Sequence, residues 1–247
     1  MVCERFCRRA IPAKNTALKA STKRELIWVP VIHTQADLGS VSESVKSLYV
    51  RLMGRSGWNS HVKAIDEIWQ NIQKEIEALA LDYSKVRLYQ DGLPECGHEK
   101  KIVMDLARAG SHNHRILLGL MEKGAQITGT ESPELLLEEY KLVQQVLVSM
   151  EAGKTGLLGE RQRELSRVLL ERRDRHIGAR ISKTLREGET GILFLGLLHS
   201  LEGQLPPDIE VVCLGREALP LRPHRGPGGK RQDDDKACGG AAGGASD

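Results

Sequence analysis

Apolar residues follow two kinds of spacing along this chain, and the two kinds alternate. Short runs rich in Val, Ile and Leu occupy residues 26–33, 85–90, 125–130, 191–199 and 209–214. Because apolar and polar positions do not strictly alternate in them, these runs predict strands buried on both faces, as in a parallel sheet. Between the runs the spacing becomes helical. Ile65, Ile68, Trp69, Ile72, Ile76 and Leu79 recur three or four residues apart and lay one stripe along a helix. Ile102, Val103, Leu106 and Ala107 predict another helix, and residues 113–123 a further one. Residues 135–148 predict the next, behind the capping sequence Ser132-Pro133-Glu134. A long helix over about 160–187 then leads into the run that starts at Gly191. Strands alternating with helices predict an α/β fold: one domain, a mostly parallel central sheet of about five strands with flanking helices, and a cleft at the C-terminal strand ends.

The two ends of the chain change that pattern. Residues 1–23 carry six basic residues against the single Glu4, show no apolar period, and predict a disordered basic leader. Residues 216–247 combine Pro220, Pro223 and Pro227 with the run Asp233-Asp234-Asp235 and a Gly/Ala finish. Such a composition cannot bury a core and predicts a disordered tail, so the domain is expected over 24–215. The leader alone carries +5 of a total of +3, which leaves about −2 on the rest. That even balance, with only 4% aromatic residues, argues against a nucleic-acid partner. No apolar run reaches the roughly 18 to 20 residues of a membrane helix, and the first residues lack the apolar stretch of a secretory signal. No membrane partner is therefore expected, and the expected compartment is the cytoplasm. Five irregularly spaced cysteines fit a reducing compartment better than a disulfide framework. Cys3 with Cys7, and Cys96 with His98, each lack the second ligand pair of a structural zinc site.

Chemistry is expected where parallel strands end, because ligands of open α/β sheets bind beyond those ends. The predicted strands run out at His33, Asp91, Glu131 and His199. Two histidines with one or two carboxylates make a plausible ligand set for a catalytic divalent ion, whether Mn, Co, Zn or Fe. Such an ion acidifies its bound water and polarises a carbonyl, so hydrolysis is the expected reaction class. His33 and His199 are the expected metal ligands, Glu131 a ligand or base, and Asp91 the alternative base. A metal-free hydrolase would instead use one histidine as base, oriented by a glutamate. On the long helix, Leu170, Ile177, Ile181 and Leu185 share a face with Asp174, and a carboxylate on a core-facing stripe needs a partner. Arg173 lies at the edge of that face and suits an acid, a substrate carboxylate or a developing negative charge.

The sequence Arg173-Asp174-Arg175-His176-Ile177, followed by Gly188, a strand, Gly196-Leu197-Leu198-His199 and Gly203, resembles the C-terminal end of TraB/Tiki-type proteins. The strand running into His33 resembles that family's first Gly-x-x-His, with Pro30 at the glycine position, and Glu131 falls where the wider erythromycin-esterase-like and ChaN-like superfamily carries an acid. The resemblance implies an α/β sheet with a cleft of paired His and acidic residues and metal-dependent peptide hydrolysis, and the expected function is hydrolysis of a peptide or ester bond in a small-molecule or peptide substrate. The rival expectations are a non-catalytic module that holds a haem-like or other acidic ligand in the same cleft, and a partner-binding protein of the same fold. Weaker motifs carry less. Gly153-Lys154-Thr155 ends like a phosphate loop, but Val148 stands at the position of its first glycine and no strand precedes it. His112-Asn113-His114 follows Ser111 as a helix cap would, and His61 is expected at a helix surface.

Overall fold

The structure, a computed structural model, describes residues 9–10, 24–32, 42–151 and 160–214. His33, most of the basic leader, the segment that ends like a phosphate loop and the Gly/Pro-rich tail lie outside the described residues. The expected α/β architecture is present. Five parallel strands, β1 (Arg24–Val31), β2 (Val86–Gln90), β3 (Gln126–Thr128), β4 (Thr190–Gly196) and β5 (Ile209–Cys213), form a sheet in the order β5-β1-β4-β2-β3. Arg9–Ala10 adds a two-residue parallel pairing beside β5. The helices are α1 (Ser42–Glu77), α2 (Glu99–Arg108), α3 (His112–Glu122), α4 (Pro133–Glu151) and α5 (Glu160–Thr184).

Two apolar clusters account for the continuous Val/Ile/Leu runs. Ile27, Val29, Val31, Leu88, Ile192 and Phe194 pack on one face of the sheet against α1, α2 and α3, where Trp69, Ile72, Val103 and Leu117 are buried. Leu26, Trp28, Tyr89, Leu193 and Leu195 alternate with them and pack on the other face against Ile177, Ile181 and Leu185. The helix stripe read from 65–79 is thus the buried side of α1, and Trp69 closes it by donating from Nε1 to the Ile32 carbonyl at 3.1 Å.

Helix α1 begins well before that stripe and is interrupted at Gly54, whose φ of 75° is left-handed. Ser111 caps α3 as its position suggests, and its hydroxyl also meets His114 Nδ1 at 2.7 Å, so that histidine is a buried part of the cap. Cys213 is disulfide-bonded, which the odd count and spacing of the cysteines do not anticipate, and Cys96 is a free, exposed thiol. Among the described residues no helix is long and apolar enough to cross a membrane.

Candidate metal centre

Four of the five residues expected at the site meet in one place. The register sets this up: Gln90 pairs with Phe194 across β2 and β4, so the loops after both strands leave the sheet side by side. Asp91 follows β2 directly and turns its carboxylate back over β4, where the Gly196 N–H donates to Oδ2 at 3.0 Å. A side chain at Gly196 has no room there, since its Cβ would sit 2.9 Å from that oxygen. Gly129 plays the matching part after β3. Its ideal Cβ would lie 2.6 Å from the Glu95 Cα, so only glycine lets the chain pass and deliver Glu131 inward. Backbone bonds from Thr130 and Glu131 to the Leu93 carbonyl fix that delivery at 3.0 and 3.1 Å.

Arg173, on α5, is the hub of the centre. Its Nε donates to Glu131 Oε2 at 2.6 Å and its Nη2 to Glu131 Oε1 at 2.7 Å, a two-pronged pairing that only a planar guanidinium makes. Nη2 also donates to Asp91 Oδ1 at 2.8 Å, and Nη1 to Glu139 of α4. Glu131 receives a further bond from the Gly92 N–H at 2.8 Å. The next residue, Asp174, answers the question its position raised: Oδ1 lies 2.6 Å from His199 Nδ1, and Oδ2 accepts from the Ser200 N–H at 2.9 Å. With Nδ1 committed to Asp174, His199 presents Nε2 to Asp91 Oδ1 at 3.6 Å.

Asp91, Glu131, Arg173, Asp174 and His199 are all buried. Taking carboxylates out of water disfavours their charge, and burial pushes Glu131 above its ordinary range, opposed by the Arg173 hydrogen bonds and reinforced by the negative Asp91. Burial pulls the His199 ring down, but the hydrogen bond to Asp174 and the negative Asp91 nearby outweigh it and lift its pKa from 6.5 to about 9. Burial likewise opposes the charge on Arg173, and its bonds to Glu131 with the nearby Asp91 and Glu139 more than compensate, so its proton is held above the ordinary value.

Asp91, Glu131 and His199 each offer one ligand atom, and these atoms lie within 4.8 Å of one another. This buried group can hold a metal ion. Arg173 pairs with Asp91, Glu131 and Glu139, and His199 with Asp174, so the centre gathers four carboxylates around two basic side chains. A carboxylate that holds Nδ1, as Asp174 holds His199, is the usual way a metal-binding imidazole is oriented.

Of the expected site residues, Asp91, Glu131, Arg173 and His199 are together, and His33 is outside the described residues. Sequence reasoning did not find Glu139, which looks like one of a solvated Glu138-Glu139 pair, nor the amide donors of Gly92, Gly196 and Ser200. His112 pairs with Asp66 at 3.1 Å and His61 stacks on Tyr49, both away from this centre. Compared with protein families, with curated proteins and with solved structures, the chain matches none.

Proposed function

We propose that the chain is a hydrolase that holds one divalent ion, Mn, Co, Zn or Fe, through Asp91, Glu131 and His199, and cleaves a peptide or ester bond of a small-molecule or peptide substrate. The observation that carries this reading is the convergence of the three buried ligand atoms beyond the C-terminal strand ends. The residues at the centre, Arg173-Asp174 and Gly196-x-x-His199, are also those that carry the TraB/Tiki resemblance, which supports the reading independently of the ligand geometry. His33 follows Val31 by two residues, and Val31 pairs with Gly196, so His33 is proposed as a further ligand.

When bound, such an ion supplies an acidified water and a polarised carbonyl. The protein's own residues do the rest. Asp174 orients the His199 ring through Nδ1, and Nε2 would be the atom that holds the ion. Arg173 fixes Glu131 and Asp91 in place and limits their mutual repulsion. With an ion bound, Glu131 or Asp91, whichever is not a ligand, would serve as the general base for its water. The metal-free alternative has less support, because Asp174 and the nearby Asp91 favour the protonated His199 ring. The acidic-ligand module is disfavoured too, because Arg173 gives its Nε, Nη1 and Nη2 to carboxylates of the chain itself.

Metal analysis of untagged protein tests this. Expected are one ion per chain and turnover on an ester or peptide panel, both lost in His199→Ala and Asp91→Asn with the fold intact. Metal-free protein that gains no ion on titration overturns the metal site. A haem absorption band without turnover replaces the hydrolase with a binding module.

A further inference from the structure

Helix α1 consists of two helical stretches, residues 42–53 and 55–77, that meet at Gly54. Ring contacts across that glycine show how sharply the chain turns there. Tyr49 stacks on His61 with centroids 4.7 Å apart and meets Trp58 nearly edge-on at 5.5 Å. In a straight helix these partners of Tyr49 would lie roughly 18 and 14 Å further along the axis. The two stretches therefore fold back towards each other as a helical corner with its apex at Gly54. No residue over 42–64 is buried and neither core cluster includes one, so the sheet-packed stripe of α1 begins at Ile65 and the corner stands outside the core.

Two properties meet at this apex. Leu52 and Met53 are 71% and 62% exposed, among the most exposed large apolar side chains of the described residues. Arg51 and Arg55 bracket them in sequence, both exposed, and neither makes an ion pair among the described residues. No Asp or Glu occurs between Glu43 and Asp66, a stretch that holds Lys46, Arg51, Arg55 and Lys63. The acids at its two ends are engaged away from the apex, Glu43 with Lys46 at 3.7 Å, Glu67 with Lys63 at 3.9 Å and Asp66 with His112 at 3.1 Å. The two lysines are thus offset, and the uncompensated charge of the corner is that of its two arginines.

We propose that this apex docks the protein on an anionic membrane surface, with Leu52 and Met53 entering the boundary between headgroups and acyl chains while Arg51 and Arg55 hold lipid phosphates. The guanidinium fork suits phosphate oxygens, which favours an anionic surface over a neutral one. Size separates a membrane from a protein partner. The two apolar side chains offer on the order of 250 Å², far short of the roughly 800 Å² per partner of a stable protein–protein interface. Reversible attachment to a bilayer asks for less, because shallow insertion and attraction to anionic lipid add together. Tyr49 and Trp58, half-buried behind the apex, are residue types that sit well where an apolar layer meets water. The expectation of no membrane partner rested on the lack of a spanning run, and attachment at a surface needs none.

Flotation of the full chain with vesicles of mixed phosphatidylserine and phosphatidylcholine tests the proposal. Binding is expected at low ionic strength, weakening as salt is raised, with little or none to phosphatidylcholine alone. Leu52→Asp/Met53→Asp, at positions exposed to water, should abolish flotation with unchanged far-ultraviolet circular dichroism. Arg51→Gln/Arg55→Gln should weaken it about 30-fold, since each basic side chain near an anionic surface contributes about fivefold. Wild-type protein that does not float overturns the proposal and leaves the apex to a protein partner. A folded Leu52→Asp/Met53→Asp variant that floats like wild type also overturns it, and assigns the binding to the basic leader. Equal flotation with phosphatidylcholine alone overturns it as well, because the arginines would then have no part.

Discussion

At the scale of residues, the centre works by commitment of atoms. Asp174 uses both oxygens, one on the His199 ring and one on the Ser200 amide, so it fixes which imidazole nitrogen remains for an ion. Replacing Asp174 with Asn removes the charge while keeping the shape, and orienting partners of this kind are worth about 10- to 100-fold in metal affinity. Titration of chelated Asp174→Asn protein with zinc should show that loss, and unchanged affinity would detach Asp174 from the site. Gly196 is equally committed, because its amide feeds Asp91 and a Cβ would press on the same oxygen. Gly196→Ala should cost about 1–3 kcal/mol through this overpacking, measured by urea unfolding, and a neutral result would mean that the Asp91 loop yields freely. The acids and His199 were legible in the sequence because an ionisable residue that ends an apolar strand breaks a pattern. Glu139 broke none, since it sits beside another glutamate on a helix, and backbone amides leave no mark on a sequence at all.

Elements bring these residues together through register, which is where the sequence speaks least. The five strands and the buried stripe of α1 were readable from spacing, because period and apolar content follow directly from which faces are covered. The order β5-β1-β4-β2-β3 was not, since no local pattern says that β4 inserts between β1 and β2. That insertion is what sets Asp91 beside Gly196. The first part of α1 leaves no such mark: Leu52 and Met53 are 71% and 62% exposed, and Gly54 interrupts the helix. The later part of α1 is held by one stripe against the sheet, with Trp69 at 1% exposure as its largest member. Trp69→Ala removes that packing and the bond to the Ile32 carbonyl, and should destabilise the protein by about 3–5 kcal/mol in urea unfolding. A cost below about 1 kcal/mol would mean that α1 is anchored elsewhere.

At the scale of the whole molecule, the buried charges tie stability to pH, and a bound ion cancels that dependence. In protein freed of metal by a chelator, His199 has a folded pKa of about 9 against an ordinary 6.5. The folded state therefore binds the proton more tightly than the unfolded state. The stability this supplies is fully present below pH 6.5 and is lost as pH rises through about 9. Its size is about 3 kcal/mol at most, from 1.36 kcal/mol for each pH unit of difference. An ion coordinated by Nε2 needs the neutral ring, so binding it expels that proton and becomes tighter as pH rises. Chelated protein should lose thermal midpoint steadily between pH 6.5 and 9, metal-loaded protein should hold its midpoint over the same range, and chelated His199→Gln should be flat. If chelated wild type and His199→Gln follow the same curve, the Asp174–His199–Asp91 contacts do not store the proton as their distances require. If metal flattens nothing while binding stoichiometrically, the ion sits away from His199, and the ligand set must be sought among other carboxylates.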